Sequence, residues 1–422
     1  ENSYNKMYFT GDVIGPYQTT EDCSSYFEAM RETIKQVDKD VNFQNYDRII
    51  IFYPFYLRQN EICNYDGASL SGKSELITED GTIKASVSLD LRSSLWVVGH
   101  ELGHDLGLSH ANRLDCNNYG YFDLDKCDIK DYGDPFDIMG NVGTRPLTPH
   151  LNAYNKEKLG WFKKEEEHTT AINGEYDIEP IEVSGYGIKS IKIPVPAKFY
   201  DYYLEYRQPI GFDKSINNNL YNGVLFHVAP YYLDNPYYTL LYYPKEIVIK
   251  PGEVFNDNSE NDIKIEVLGA YGSSAKVRVE SNIQPFADLE AKFLDVNSKI
   301  INKQTTIRFI LKNNGVGGDV NALNIKARLY KFPKDNFGEQ SQKNLIAEEK
   351  INELKNNDSI IISFTDNLNE KEVASYLIDV NSDNDYKTNN NKLFFNINQL
   401  YEDVYLKDFG VFEYNPKEPS VG

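Results

Sequence analysis

Hydrophobic positions up to about residue 165 switch between helical and extended spacing. Phe27, Met30, Ile34 and Val37 recur at three- and four-residue intervals behind Glu21 and Asp22, which predicts an amphipathic helix. The unbroken run Arg48-Ile49-Ile50-Ile51-Phe52-Tyr53 then reads as a buried strand. A short Gly67-Ala68-Ser69-Leu70-Ser71-Gly72 piece follows. After it, Leu91, Leu95, Val98 and Leu102 mark a second helix that ends at Gly107. Thr148 and Pro149 supply an N-cap and a first-turn proline for a third helix, which carries Leu151, Tyr154 and Leu159 and ends near Gly160-Trp161.

From Thr169 onward the helical spacing stops and short alternating runs take over, among them Ser190 to Ile193, Tyr202 to Tyr206, Gly223 to Val228 and Ala275 to Val279. A second break falls at Gln284-Pro285. Beyond it, Thr306 to Leu311, Ile325 to Tyr330 and Ser359 to Phe364 repeat a sandwich-like pattern. The expectation is an α+β head over residues 1–168 followed by two all-β, sandwich-type units over 169–283 and 284–422. A length of 422 residues suits two to four such units.

Composition narrows the function classes. A net charge of -20 leaves no broad basic surface to neutralise phosphates, which argues against nucleic-acid binding. No apolar run approaches the roughly 20 residues that span a bilayer, so no transmembrane segment is expected. The four cysteines, Cys23, Cys63, Cys116 and Cys127, form no C-x-x-C pair, and two structural disulfides are the plain reading. Cys23–Cys63 with Cys116–Cys127 is the preferred pairing because the second bridge would close a short acidic loop, although spacing alone does not fix the connectivity. Disulfides and an acidic balance fit a secreted, extracellular protein, with attachment to a cell surface or matrix through the C-terminal β units.

Three of the six histidines fall within eleven residues, HELGHDLGLSH, from His100 to His110. Residues four apart on a helix differ by about 40° around the axis and about 6 Å along it, so His100 and His104 project from one face. Glu101 sits beside that face, where it can reach a water on a metal without ligating the metal, as a general base must. Gly107 can take the left-handed conformation that ends the helix, and the returning chain brings His110 in from another direction. Three protein ligands with a fourth position for water is the arrangement of catalytic zinc, so one catalytic Zn2+ is expected.

This stretch resembles the H-E-x-x-H-x-x-G-x-x-H signature of the metzincin metalloproteases, and Asp137-Ile138-Met139-Gly140 resembles their Met-turn, which implies that Met139 packs beneath the ligands. Tyr132 to Gly140, the helix leading to Leu159-Gly160-Trp161, and Tyr202 to Arg207 followed by Gly211-Phe212-Asp213 look most like the gametolysin-type peptidases. There is likeness also to the immune-inhibitor-A type; His110 favours the gametolysin side. Asn141 stands where astacins and serralysins carry a tyrosine, so no tyrosine ligand is carried over. The last unit, with Lys312-Asn313-Asn314-Gly315 and Leu377 to Asn381 leading into Asn389 to Asn391, resembles the bacterial CARDB-type modules.

The resemblance implies a metzincin-like catalytic head, a secreted zinc endopeptidase acting on extracellular protein or glycoprotein, and Glu101 as general base and acid. Gly67, Ala68 and Ser69 would form the upper rim that pairs with extended substrate. His150 is expected to be a surface histidine, with a place in the wall of the specificity pocket as the alternative. His227 is expected to face solvent or a neighbouring domain, and His168 to lie in a linker. Asp123, Asp125, Asp128, Asp131 and Asp134 offer oxygen ligands for Ca2+ but lack the spacing of a calcium loop, so a solvated, disulfide-stapled loop is expected instead. The rival expectation is an adhesin or binding protein whose head keeps zinc for structure. A further one is an enzyme with a non-peptide substrate.

Overall fold

The computed structural model describes residues 2–18, 25–54, 57, 63, 65–70, 72–79, 81–92, 94–116, 126–140, 148–163, 166–195, 198, 200–216, 221–230, 239–243, 248–299, 304–332, 343–367, 373–385 and 389–398. Among them the chain forms three α-helices and five β-sheets and is mostly β.

In the head, α1 (Tyr26–Val37) is capped by Ser25, whose Oγ accepts from Glu28 N at 3.4 Å. The expected start at Glu21-Asp22 lies outside the described residues. The helix buries Ala29, Met30 and Ile34 against Val87 and Leu89. Its sheet is built on β4 (Gly81–Asp90), which pairs in parallel with β1 (Arg48–Phe52) and antiparallel with β2 (Gly67–Ser69) and β3 (Ser74–Thr78). In the order β1-β4-β2 the strand β2 stands at an edge among the described strands. The second helix, α2 (Leu95–Asp105), starts four residues later than its hydrophobic spacing predicts, because Leu91 packs into the head core and Ser94 caps the helix.

The expected boundary at residue 168 falls within one sheet. β5 (Ala111–Asp115) and β6 (Asp128–Lys130) follow α2 in the chain, yet β5 pairs in parallel with β12 (Thr239–Tyr243). The resulting eight-stranded sheet runs β6-β5-β12-β11-β10-β9-β7, with β7 (His168–Thr170), β9 (Ser190–Pro194), β10 (Tyr200–Tyr206) and β11 (Val224–Pro230); β13 (Val248–Ile249) pairs with β11. A second sheet, β14-β15-β16-β8, covers it with β8 (Gly174–Ile178), β14 (Val254–Asn256), β15 (Lys264–Ala270) and β16 (Ala275–Glu280). Ile265, Val267, Val277 and Val279 alternate inward along β15 and β16 onto Tyr202, Phe226 and Leu114, the last contributed by the head.

α3 (Ala153–Lys158) is capped by Asn152, not by Thr148. Two buried carboxylates explain the delay: Asp213 accepts from His150 N (2.9 Å) and Asp137 from Asn152 N (2.7 Å), so these amides are used before the helix can begin. His168 lies on β7 rather than in a linker; it is buried, with Nε2 3.3 Å from Glu157.

The last unit has its own core, centred on Phe309, Ile325, Leu329, Ile378 and Phe395. It lies between the sheets β17-β18-β21 (Leu289–Lys299, Gln304–Asn313, Ser359–Asn367) and β20-β19-β22-β23 (Asn344–Leu354, Ala322–Lys331, Val373–Asn381, Lys392–Asn398). Phe286 and Val316 form a bridge that joins this unit to the core of the preceding one. Cys116 and Cys127 are disulfide-bonded, as expected from the acidic loop. Cys63 is also disulfide-bonded, and its expected partner Cys23 lies outside the described residues. No described helix is long and apolar enough to cross a membrane.

Candidate metal centre

Local chemistry ends α2 where the histidines need it. Gly107 has φ +84°, its N–H donates to His104 O (2.8 Å), and Leu108 N donates to Gly103 O (2.9 Å). This pair of bonds is the Schellman closure, and it reverses the chain so that His110 returns toward the helix.

The three imidazoles converge: one nitrogen from each of His100, His104 and His110 lies within 4.8 Å of the others. His100 Nδ1 donates to Ile138 O and His104 Nδ1 to Leu108 O, both at 2.9 Å. Carbonyls only accept, so these bonds fix the tautomer and leave each Nε2 with its lone pair aimed inward. His104 Nε2 stands 3.1 Å from His110 Nε2, and His100 Nε2 is buried with no hydrogen-bond partner. Burial pushes the His100 imidazole down to about 4 and that of His110 to about 3, so both are neutral donors of lone pairs. The triad could hold a metal ion.

Glu101 is 2% exposed, and neither carboxylate oxygen has a hydrogen-bond partner. Burial, followed by the charges of Asp105 and Asp90, raises its pKa well above the usual glutamate range. The backbone opposite makes room for it: a Cβ on Gly67 would lie 2.6 Å from Glu101 Oε1 and 2.5 Å from Val97 Cγ1. Gly67 therefore faces the carboxylate directly, on the edge strand β2. Ala68 is buried behind it, and Ser69 Oγ donates to Asp105 Oδ1 at 2.5 Å.

Met139 is fully buried beneath α2. Two helical glycines that look costly in the sequence explain its seat. A Cβ on Gly103 would lie 2.2 Å from Met139 Sδ, and one on Gly99 would lie 2.5 Å from Ile138 Cδ1. The turn 137–140 can thus press directly on the helix backbone, which is how Ile138 O reaches His100.

Sequence reasoning missed two residues here. Tyr132 has φ +55°, an unusual conformation for an aromatic residue, and its N–H donates to Asn112 Oδ1 at 2.9 Å. The strained backbone lays the ring on His110, with centroids 3.8 Å apart. The signal in the sequence was Gly133, where a Cβ would lie 2.5 Å from Arg113 Cβ, but only the fold reveals that approach. Tyr132→Ala is expected to free His110 and weaken metal binding about 10- to 100-fold, with Tyr132→Phe restoring it; competition against a chromogenic chelator measures both.

The second is His227. It is buried and donates from Nε2 to Asp134 Oδ2 at 2.9 Å, so it faces the head. Asp134 is likewise fully buried, not solvated, and its Oδ1 accepts from Phe136 N, bracing the loop that carries Met139. Asp123 and Asp125 of the acidic loop lie outside the described residues. Removing His227 strands a buried carboxylate, so His227→Ala is expected to cost about 3–5 kcal/mol in urea unfolding.

His150 is not brought to the triad. It is fully buried rather than at the surface, its N–H is taken by Asp213 and its ring meets Phe212 at 5.7 Å. Arg207, just after β10, bonds Glu205 and Asp213 at 2.8 Å each and fixes this packing.

No family model matches the chain, and no curated protein matches it. Among solved structures, the CARDB domain of a Pyrococcus furiosus protein, in complex with di-metal ions, is 18% identical, with 27% of this chain and 87% of that chain covered and a TM-score of 0.20. A Kluyveromyces marxianus β-glucosidase is 15% identical over 28% of this chain and 14% of that one, with a TM-score of 0.19. Likenesses at such scores carry no argument about function.

Proposed function

We propose that the chain is a zinc-dependent endopeptidase of the metzincin type, acting outside the cell on protein or glycoprotein. The observation that carries the reading is the buried, unpartnered Glu101 carboxylate set beside three converging histidine nitrogens. Zinc–nitrogen bonds of about 2.0–2.1 Å in a tetrahedral site put neighbouring nitrogens about 3.3 Å apart, close to the 3.1 Å between His104 and His110 Nε2. Among the described residues the metal-ligating group has three members, whereas a structural zinc site is closed by four protein ligands. A purely structural site needs no base beside the metal's water, so Glu101 disfavours the adhesin alternative.

A zinc ion held there supplies Lewis acidity, polarising the scissile carbonyl and making water more acidic. The chain's own residues do the rest. Glu101, desolvated and therefore strongly basic when ionised, takes the proton of the attacking water and passes it to the departing amine. His100 and His104 stay in one tautomer because Ile138 O and Leu108 O hold their Nδ1 protons. β2, an edge strand among the described strands, would give an extended substrate a backbone to pair with beside Glu101. The disulfides favour an oxidising, extracytoplasmic setting, and the C-terminal β units would serve attachment.

Incubating the full chain with a mixed peptide library, with and without a chelator, tests the reading. Internal cleavages that stop with the chelator and return with zinc are expected. A library left intact by the zinc-loaded chain would remove the peptidase assignment.

A further inference from the structure

A cavity of about 670 Å³ lies at the joint between the second and third units, lined by none of the three converging histidines, and its size falls in the range of ligand sites, which favour such joints. Its walls combine turns with strand residues: the Ile172-Asn173 turn flanked by Thr170 at the end of β7 and Tyr176 on β8 on one side, residues 281–285 between, and the turns at 314–318 and 356–357 on the other.

The joint is fixed. Phe286 and Val316 exchange backbone hydrogen bonds of 3.1 and 2.8 Å. Gly317, at φ +77°, sits so close to Ile172 that a Cβ would lie 2.1 Å from its Cδ1. Ser281 Oγ donates to Ile172 O at 2.7 Å, and its N–H donates to Asn173 Oδ1 at 2.8 Å. The two walls are therefore held at a set distance, and a ligand would meet a cavity already formed.

The lining chemistry is selective. None of the lining residues is charged, in a chain where 26% of residues are. A phosphate, sulfate or carboxylate ligand would find no cation, and a basic ligand no carboxylate. Several amides retain hydrogen-bonding capacity: among the described residues the side chains of Asn282 and Asn357 bond to nothing in the protein, and Asn356 Oδ1 has no partner. A primary amide offers a donor and an acceptor side by side, which matches neighbouring hydroxyl groups. Tyr176, its hydroxyl tied to Asn173 O at 2.9 Å, adds the apolar ring on which a sugar's C–H face can rest.

We propose that this joint is a binding site for neutral saccharide, taking more than one sugar ring, and that it brings the chain to a glycosylated protein or a polysaccharide independently of the metal centre. The metal site plays no part in the argument, so either reading can fail alone.

The test uses the full chain on an array of neutral, sialylated and sulfated oligosaccharides, presented both as glycopeptides and as free polysaccharide, with calorimetry on the strongest neutral member. The comparison variant is Asn282→Ala with Asn357→Asp. The first removes an amide that bonds to nothing in the protein; the second keeps a residue type that tolerates φ +62° while placing a charge in the cavity. Neutral glycans are expected to bind, and the variant to lose at least about tenfold in affinity with unchanged thermal unfolding and unchanged short-peptide cleavage. The glycopeptide and polysaccharide arms tell which source is held. Absence of neutral-glycan binding, preference for the charged glycans, or binding equal in the variant would each overturn the proposal.

Discussion

Glu101→Gln is expected to bind one zinc per chain as tightly as the parent and to hydrolyse peptides about 10³- to 10⁴-fold more slowly. At 1.36 kcal/mol per decade, that is about 4–5.5 kcal/mol of lost transition-state stabilisation. Glutamine keeps the shape of the side chain but cannot accept the proton of the attacking water. Because neither oxygen of Glu101 has a protein partner, no hydrogen bond that holds the fold is broken. The metal-free variant is expected to unfold at a higher temperature than the parent: burial disfavours the ionised carboxylate, and glutamine imitates its neutral form. Loss of kcat with KM nearly unchanged, together with that rise, identifies a group kept for chemistry at the expense of stability. A lowered melting temperature would instead identify a structural role.

The second large effect concerns the ligands. Replacing His100, His104 and His110 together by alanine is expected to take bound zinc from one per chain to none, read by elemental analysis after gel filtration. His104 is expected to matter most among single replacements. It is fully enclosed, its Nδ1 is locked to Leu108 O, and it touches both other rings, with centroids 4.8 and 4.9 Å away. His110 comes from the chain beyond the helix and leans on Tyr132, so its loss should leave a weak two-ligand site. Zinc retained by the triple variant would put the ion elsewhere.

The convergence of the histidines was legible because it is local. A four-residue helical step, a glycine that reverses the chain and three further residues are short-range geometry, and neighbouring residues dictate them. The strands of the β units were legible for a similar reason: Ile325 to Tyr330 and Ser359 to Phe364 alternate because each has one buried face, and both fall within observed strands. What escaped was long-range. Nothing in the text of Ala111–Asp115 announces that its partner is Thr239–Tyr243, so the head and the second unit looked separable although they share a sheet. For His227, alternation gives a face, turned to solvent or to a neighbouring domain, but not which of the two covers it; the cover is Asp134 of the head. Gly99 and Gly103 did carry a signal, since two glycines four apart inside a short helix cost stability unless something must come close. That something, Ile138 and Met139, is visible only once the turn is folded against the helix.

One titration bears most directly on the claim that this centre is a zinc peptidase in which Glu101 moves the proton. Zinc is added stepwise to the chelator-stripped full chain while cleavage of a quenched fluorescent peptide is followed, and the same is done for Glu101→Gln with zinc uptake recorded alongside. For the parent, the rate should climb in proportion to added zinc and break at one equivalent. Glu101→Gln should take up the same single equivalent and stay at the baseline. A rate indifferent to zinc, or a Glu101→Gln curve that rises with that of the parent, would contradict the account.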